Sequence, residues 1–378
     1  MRVAGIMSGT SLDGIDVAIV DIGGKKIEPL GFHSVSYPKA VREAILGVSN
    51  TMTHTSAIAR LHFVLGEVYA EAVRETCRRR RIPLRSISLC GLHGQTIFHE
   101  GAPLDYMGRR VASTMQIGDA SVLAERTGLR VISNFRERDI AAGGRGAPLV
   151  PLVDYLLFRH NRIGRIALNI GGIANITVIP AAASREDIVA FDTGPGNMVI
   201  DALVSRLTNG RQTCDRNGRI ARQSQIHEGL LKAMLSDPYF RLRPPKTAGR
   251  EQFGQDYSSR LIATGVPLPD LIATATELTA QSIASAISSH AKTLASTTRE
   301  VIASGGGVHN RWLMRRLREL LPALDVVTTA DHGIDPDAKE AIAFAVLAHE
   351  FVSGRPGNLP SATGARRAAL LGRETPGV

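Results

Sequence analysis

The chain has 378 residues, 44% of them hydrophobic and 21% charged. At about 150 residues per domain this is material for two cores, which excludes extensive disorder, and no run of about 18 apolar residues offers a membrane span. The net charge of +10 raises a polyanionic partner as a question. However, the densest basic run, Arg78–Arg81, closes a helical pattern where cations suit the helix C-terminus, and the few aromatic residues do not interleave with it as a base-stacking surface requires. No nucleic-acid partner is expected.

Taken in chain order, Arg2 to Ile22 reads as strand, polar glycine turn, strand: Val3, Ile6 and Met7 lead in, and Ile15, Val17, Ile19 and Ile22 lead out. The N-terminus turns polar and glycine-rich almost at once, unlike a secretory signal. Residues 58–73 place Ile58, Leu61, Leu65, Val68 and Ala72 at helical spacing. A short strand, Ile87–Leu92, ends in Gly91-Leu92-His93-Gly94-Gln95-Thr96. Residues 116–127 read as a helix and 136–151, RERDIAAGGRGAPLVP, as a loop. The opening pattern recurs over Ile166–Ile179 around Gly171 and Gly172, so two strand–turn–strand units lie about half a chain apart and predict a duplicated domain. Helices follow at 198–207 and 271–294, the latter with Leu278, Ile283 and Ile287 on its apolar side. A strand at 301–303 enters Ser304-Gly305-Gly306-Gly307, and helices over 311–321 and 337–351 precede a Gly/Pro-rich, then basic, tail. Cys77, Cys90 and Cys214 show neither disulfide-framework nor zinc spacing, which fits a reducing cytoplasm. The whole predicts α/β layers with mixed sheets, in lobes 1–150 and 151–378, the C-terminal tail able to pack back on the first.

Four turns carry candidate chemistry. In Gly9–Asp16, small residues and hydroxyls between strands let backbone N–H groups approach a phosphate. Asp13 repels phosphate unless Mg²⁺ stands between them, held through oxygen and water ligands; the same turn also reads as a plain hairpin, and it lacks the Gly-Lys-Ser/Thr ending of a Walker A loop. Asn169–Asn175, paired with the first turn, can clamp a polyphosphate from the opposite side in a two-domain kinase with its nucleotide between the domains. In Phe191–Asn197, Asp192 precedes a rigid Gly-Pro-Gly turn and a helix, where it either caps the helix region or acts as a general base; Asp201, further into the helix, reads as structural. In Ser304–Asn310, three glycines between strand and helix admit a flat ring or a phosphate. His93, Gln95, Thr96, Arg136, Arg138, Asp139 and Glu340 are candidates for binding a polyol or carboxylate, although for any one alone a structural role is the commoner outcome.

The set GTSLDGID, GLHGQT, FRERDIAAGGRGAPLVP, NIGGIANIT, FDTGPGN, PPKTAGRE, SGGGVHN and DAKEAIAFA resembles the anhydro-N-acetylmuramic acid kinase family, in that family's order and over nearly the whole chain. The resemblance implies a two-domain actin-like ATPase (duplicated ribonuclease H-like) fold with ATP and Mg²⁺ in the cleft. It implies that 1,6-anhydro-N-acetylmuramic acid, ATP and water give N-acetylmuramic acid 6-phosphate and ADP, in cytoplasmic recycling of cell-wall sugars by a homodimer. By the same resemblance, Asp192 is the catalytic base. ATP is held by Gly9, Thr10, Ser11, Leu12, Asp13, Gly14, Ile15 and Asp16, by Gly171, Gly172 and Asn175, and by Gly305, Gly306, Gly307 and Asn310. Asp13 reaches the metal through water. The sugar meets His93, Gln95, Thr96, Arg138, Asp139 and Glu340. Arg145 and Cys214 depart from the family pattern, where Gln and Tyr are expected. Two rivals remain: a levoglucosan-type anhydrosugar kinase, and an actin-like ATP-binding switch with no sugar.

Overall fold

A computed structural model describes the chain except Thr10, Ser11, Asp13, Lys25, Pro245 and residues 294–296, with only the backbone described over 290–293. The chain divides into two compact units, Met1–Val153 with Ala338–Val378, and Asp154–Asp337.

The first unit is built on strands β1 (Arg2–Ser8), β2 (Ile15–Gly23), β3 (Lys26–Val35), β4 (Leu89–Tyr106), β5 (Arg109–Ile117) and β6 (Arg130–Ser133), with a last short strand, Arg373–Thr375, beside β6. The path across the sheet is β3-β2-β1-β4-β6, antiparallel from β3 to β1 and parallel from β1 to β6. β1 and β2 are apolar almost throughout because both faces of the sheet are covered. Ala4, Ile6, Ile15, Val17 and Ile19 join Leu65, Tyr69 and Val73 of the helix Thr55–Arg80 in one core. The other face meets the helix Lys339–Val352. That contact requires glycine. Gly5 and Gly91 are register partners on β1 and β4, and a Cβ on either would fall on the carbonyl oxygen of Ala341 or Phe344. The helix backbone therefore rests directly on the sheet. This explains why 338–378, which the sequence reading grouped with 151–337, belongs to the first unit.

The second unit repeats the plan with β7 (Gly164–Ile170), β8 (Ile173–Ile179), β9 (Val189–Pro195), β10 (Thr298–Ser304) and β11 (Asp325–Thr328). Its order is β9-β8-β7-β10-β11, again three antiparallel strands followed by two parallel ones. Ile166, Leu168 and Ile176 pack against Ile283 and Ile287 of the helix Leu268–Thr293 and Leu313 and Leu317 of the helix Arg311–Leu320. Each unit is thus a ribonuclease H-like sheet with helices, and the duplicated pair is the actin-like α/β fold.

Local departures from the sequence reading have local causes. The strand begun at Ile87–Leu92 runs on to Tyr106, so the His93–Thr96 block lies inside β4. Residues 116–117 close β5, and the helix starts at Ala120 with Asp119 capping it. The supposed loop 136–151 opens with the helix Phe135–Ala141. The basic run does end a helix: Arg78 and Arg79 pair with Glu75, and Arg80 donates to the carbonyl of Phe32.

Replacing Gly5 or Gly91 by Val is expected to destabilise the protein by about 3 kcal/mol or more. Gly47→Ala, in an exposed helical position with nothing near its would-be Cβ, is expected to stabilise it by about 0.5–1 kcal/mol. Thermal unfolding of the three variants against the parent chain reads both effects.

Candidate active site

Asp192 lies inside β9, six residues ahead of the helix Met198–Leu207. It does not cap that helix. Its Oδ2 accepts the N–H of Ala248 at 2.8 Å, its own N–H donates to the carbonyl of Lys246 at 3.1 Å, and its carbonyl accepts the Tyr239 hydroxyl at 2.7 Å. The Lys246 ammonium, buried, donates to the carbonyl of Tyr239 and sits 4.5 Å from the centre of that ring. Burial pushes the Asp192 carboxyl up to about 6. Glu251 adds to the shift, while the Ala248 N–H and the Lys246 charge oppose it. A carboxylate poised near neutral pH, with one oxygen held by a single amide, is equipped to take a proton.

The surrounding sheet presents a polar row. Ser304, Asn169, Asn175 and Asp192 are successive register partners across β10, β7, β8 and β9. Opposed residues on neighbouring strands point to one face, and the register slips at Thr193, so a bulge sits beside Asp192. The Ser304 hydroxyl donates to the carbonyl of Leu168 at 3.2 Å. Gly171 and Gly172 turn the chain between β7 and β8, and their carbonyls accept the N–H groups of Asn197, Gly196 and Met198. The turn is thereby locked to the Gly194-Pro195-Gly196 corner, which Thr279 supports from behind by donating to Pro195 and Gly196. Gly305 takes φ +81°, and at Gly307 a Cβ would overlap Ile170, so the chain beyond β10 lies against β7. A Cβ at Gly306 would meet only the Asn197 amide, at the ordinary contact distance of 3.7 Å. Asn310 is differently occupied from the sequence expectation: its Oδ1 caps the helix Arg311–Leu320 through Leu313 N–H.

In the first unit, Thr10, Ser11 and Asp13 lie outside the described residues. The rest of that turn is anchored from below. Leu12 is buried at φ +59° with its N–H on the carbonyl of Gly9, and Gly14 and Ile15 enter β2, where Asp16 is half-buried. Gln95, 1% exposed, donates to the carbonyl of Gly9 and accepts from Tyr37, while Ser8 bonds Tyr69 and the carbonyl of Gly94. Gln95 therefore supports the turn and is not presented to a sugar. Thr96 is half-buried and accepts from Gln116.

His93 is buried against Phe344, and its Nε2 accepts the Arg136 Nε–H at 2.9 Å. Burial, with the Arg136 charge second, drives its pKa well below the usual value, so the ring is neutral. Arg136 donates also to the carbonyl of Gly146, and the Glu340 carboxylate helps to offset the cost of burying the guanidinium. Glu340 stands half-buried in the first turn of its helix. Arg138 is exposed. Asp139 corrects the expectation of a sugar ligand: it is fully buried, and it accepts Gly146 N–H, Asn358 Nδ2 and Thr363 Oγ1 at 2.6–2.8 Å. Its carboxylate ties the glycine-rich loop to the C-terminal segment.

The profile of the anhydro-N-acetylmuramic acid kinase family matches residues 1–377. The chain belongs to that family. It is similar to the anhydro-N-acetylmuramic acid kinase of Caldanaerobacter subterraneus subsp. tengcongensis, at 42% identity over 98% of this chain and 96% of the relative. It is likewise similar to that of Salinibacter ruber, at 44% identity over 98% and 95%. Among solved structures, the activator of the 2-hydroxyisocaproyl-CoA dehydratase from Clostridium difficile with bound ADPNP superposes at TM-score 0.45 with 12% identity, covering 94% of this chain and 96% of that one. Membership of the anhydro-N-acetylmuramic acid kinase family makes the chain a phosphotransferase of sugar metabolism.

Sequence reasoning passed over Asn169 and Ser304 as side chains and Tyr239 altogether, and gave Lys246 and Ala248 no role beyond their place in a family block. The signal for the last two lay in PPKTAGRE, a block without apolar periodicity placed between helices. The two Arg145 and Cys214 departures are both exposed; Arg145 bonds the carbonyl of Thr363 through its backbone N–H, a contact any residue makes. Asp139→Ala is expected to cost about 3 kcal/mol or more by leaving buried donors unpaired, seen as a lowered unfolding temperature. An unchanged unfolding temperature with a raised sugar KM would instead return Asp139 to the substrate.

Proposed function

We propose that this chain phosphorylates 1,6-anhydro-N-acetylmuramic acid with ATP while opening its anhydro bridge with water, and that Asp192 is the base. The observation carrying this reading is the Asp192 carboxyl, raised to about 6 and held by Ala248 at the edge of a polar row. Asp192 takes a proton from the water that attacks the anomeric carbon. The C1–O6 bond breaks, and the freed O6 attacks the γ-phosphorus, releasing ADP. Phosphoryl transfer asks a protein chiefly for positioning and charge neutralisation. We assign the nucleotide to the glycine turns at Gly171, Gly172 and Asn175 and at Gly305–Gly307, where the absence of side chains permits close backbone approach, and, on family grounds, to Gly9–Asp16. Arg136 and Glu340 form the charged group we assign to the sugar, with Arg138 two residues from Arg136 and Thr96 on β4.

Mg²⁺ fits the donor chemistry of the first turn: it keeps several waters and takes one or two carboxylates with substrate phosphates, and Asp16, half-buried at the start of β2, is such an oxygen donor close in sequence to Asp13. Asp13 and Asp16 would hold it, and bound there it would neutralise phosphate charge. We further assign the enzyme to the cytoplasm as a homodimer, on family grounds.

A coupled ADP-release assay with Mg²⁺-ATP, with and without the sugar, tests the activity. The expected product is heavier than the sugar by one phosphate and one water. ADP release indifferent to the sugar, or levoglucosan turned over as well, would overturn the substrate assignment. Asp192→Asn is expected to lower kcat by about 10²–10⁴-fold with nucleotide binding retained. The folded carboxyl binds its proton more tightly than the unfolded one, so its contribution falls as pH rises from about 4 through 6. Asp192→Asn should therefore be more stable than the parent at pH 8, by up to about 3 kcal/mol, and indistinguishable from it below pH 4. Unfolding temperatures at the two pH values check the sign.

A further inference from the structure

The second unit contains a cavity of about 1020 Å³ that shares no lining residue with the polar row around Asp192. One wall is made by the connection after the helix Met198–Leu207. There Asp215 is buried, and its two carboxylate oxygens accept the N–H groups of Ile220 and Ala221 at 2.9 and 3.0 Å. This caps the short helix Arg219–Gln223 and turns Arg216, Arg219 and Arg222 toward the cavity. The other wall is the start of the helix Arg311–Leu320, which buries Leu313, Met314 and Leu317 and presents Arg311, Trp312 and Arg315. The Arg315 guanidinium lies 5.2 Å from the centre of the Trp312 ring.

Several arginines of the surface are matched by carboxylates, among them Arg126 by Glu67, Arg130 by Glu374, Arg355 by Glu350 and Arg316 by Glu277. Around the cavity, Arg315 has Glu319 and Arg211 donates to the carbonyl of Thr208. Arg216, Arg219, Arg222 and Arg311 show no carboxylate partner among the described residues. The one acid of the lining, Asp215, is spent on backbone N–H groups. Several guanidinium groups converging on one concavity repel one another unless an anion joins them. Their planar forks suit phosphate oxygens, and a concave basic surface concentrates field and anions.

We propose that this cavity is an anion-binding site for a small phosphorylated molecule carrying at least two negative charges, distinct from the site of phosphoryl transfer. Its volume is at the upper end of small-molecule pockets, about 300–1,000 Å³. The charges line a hollow within one unit, which favours a compact ligand over a nucleic-acid strand. Trp312 offers a flat apolar wall for a ring attached to the phosphates, and the guanidinium of Arg315 already lies near that ring.

Trp312 is the only tryptophan in the chain, so its fluorescence reports on the cavity directly. The full-length protein is titrated with pyrophosphate at constant ionic strength. A saturable fluorescence change is expected, weakened about tenfold or more in Arg219→Glu/Arg222→Glu, two exposed positions whose folding is checked by circular dichroism. The proposal is overturned by a response that NaCl reproduces or that the double variant leaves unchanged. It is also overturned by strict competition with Mg²⁺-ATP, which would make the cavity part of the nucleotide site, or by single-stranded DNA displacing pyrophosphate at lower concentration, which would make it a nucleic-acid surface. Because binding is read without turnover, failure here leaves the kinase assignment standing, and loss of kinase activity leaves this one standing.

Discussion

A carboxylate taken out of water favours its proton unless something answers its charge. Asp192 is kept in that intermediate condition. One oxygen accepts an amide hydrogen from Ala248, the Lys246 ammonium lies near enough to lower its pKa, and burial still prevails, leaving the group at about 6. More complete pairing would make it a poor proton acceptor, and deeper burial without partners would keep it protonated. The surroundings serve this balance. The segment 246–248 holds Asp192 twice, its backbone N–H through the Lys246 carbonyl and its carboxylate through the Ala248 N–H. Tyr239 fixes the Asp192 carbonyl, and its aromatic ring confines the lysine.

The same economy of contact appears in both sheets. In the first unit, glycines on β1 and β4 bring a helix backbone onto the strands and draw the last forty or so residues into that unit; Asp139 then fastens the loop 142–146 to the returning segment through Asn358 and Thr363. In the second, the Gly171–Gly172 turn is clasped by the N–H groups ahead of the helix Met198–Leu207. Where the two units differ is chemistry: the register row Ser304–Asn169–Asn175–Asp192 is polar, whereas the neighbouring register partners Gly5 and Gly91 of the first sheet carry a helix.

What could be read from the sequence followed from local periodicity and turn chemistry. The strand–glycine turn–strand units at 2–22 and 166–179 were legible because β-branched runs flank glycines, and their recurrence pointed to the duplication. β5 was not, since RRVASTMQI is mostly exposed on both faces and carries no apolar alternation. The helix Phe135–Ala141 was hidden by its charged composition. Asp192 was legible as a candidate from the Gly-Pro-Gly corner after it, but the reason for its pKa was not, because Lys246 and Ala248 reach it from over fifty residues away. Asp139 misled for the same reason: a carboxylate in a polar, glycine-rich stretch reads as a ligand, and only contacts with residues more than two hundred positions distant show it to be a buried anchor. Asn310 was open to a simpler reading, as an N-cap immediately before a helix.

The most direct test of Asp192 as a base poised by burial is the pH dependence of kcat/KM for the anhydrosugar, which reports the ionisation of the free enzyme. The account predicts an acidic limb of unit slope with a midpoint near pH 6, activity rising as Asp192 loses its proton. A profile flat from pH 5 to 8, or a limb near the ordinary carboxyl value of about 4, would contradict it.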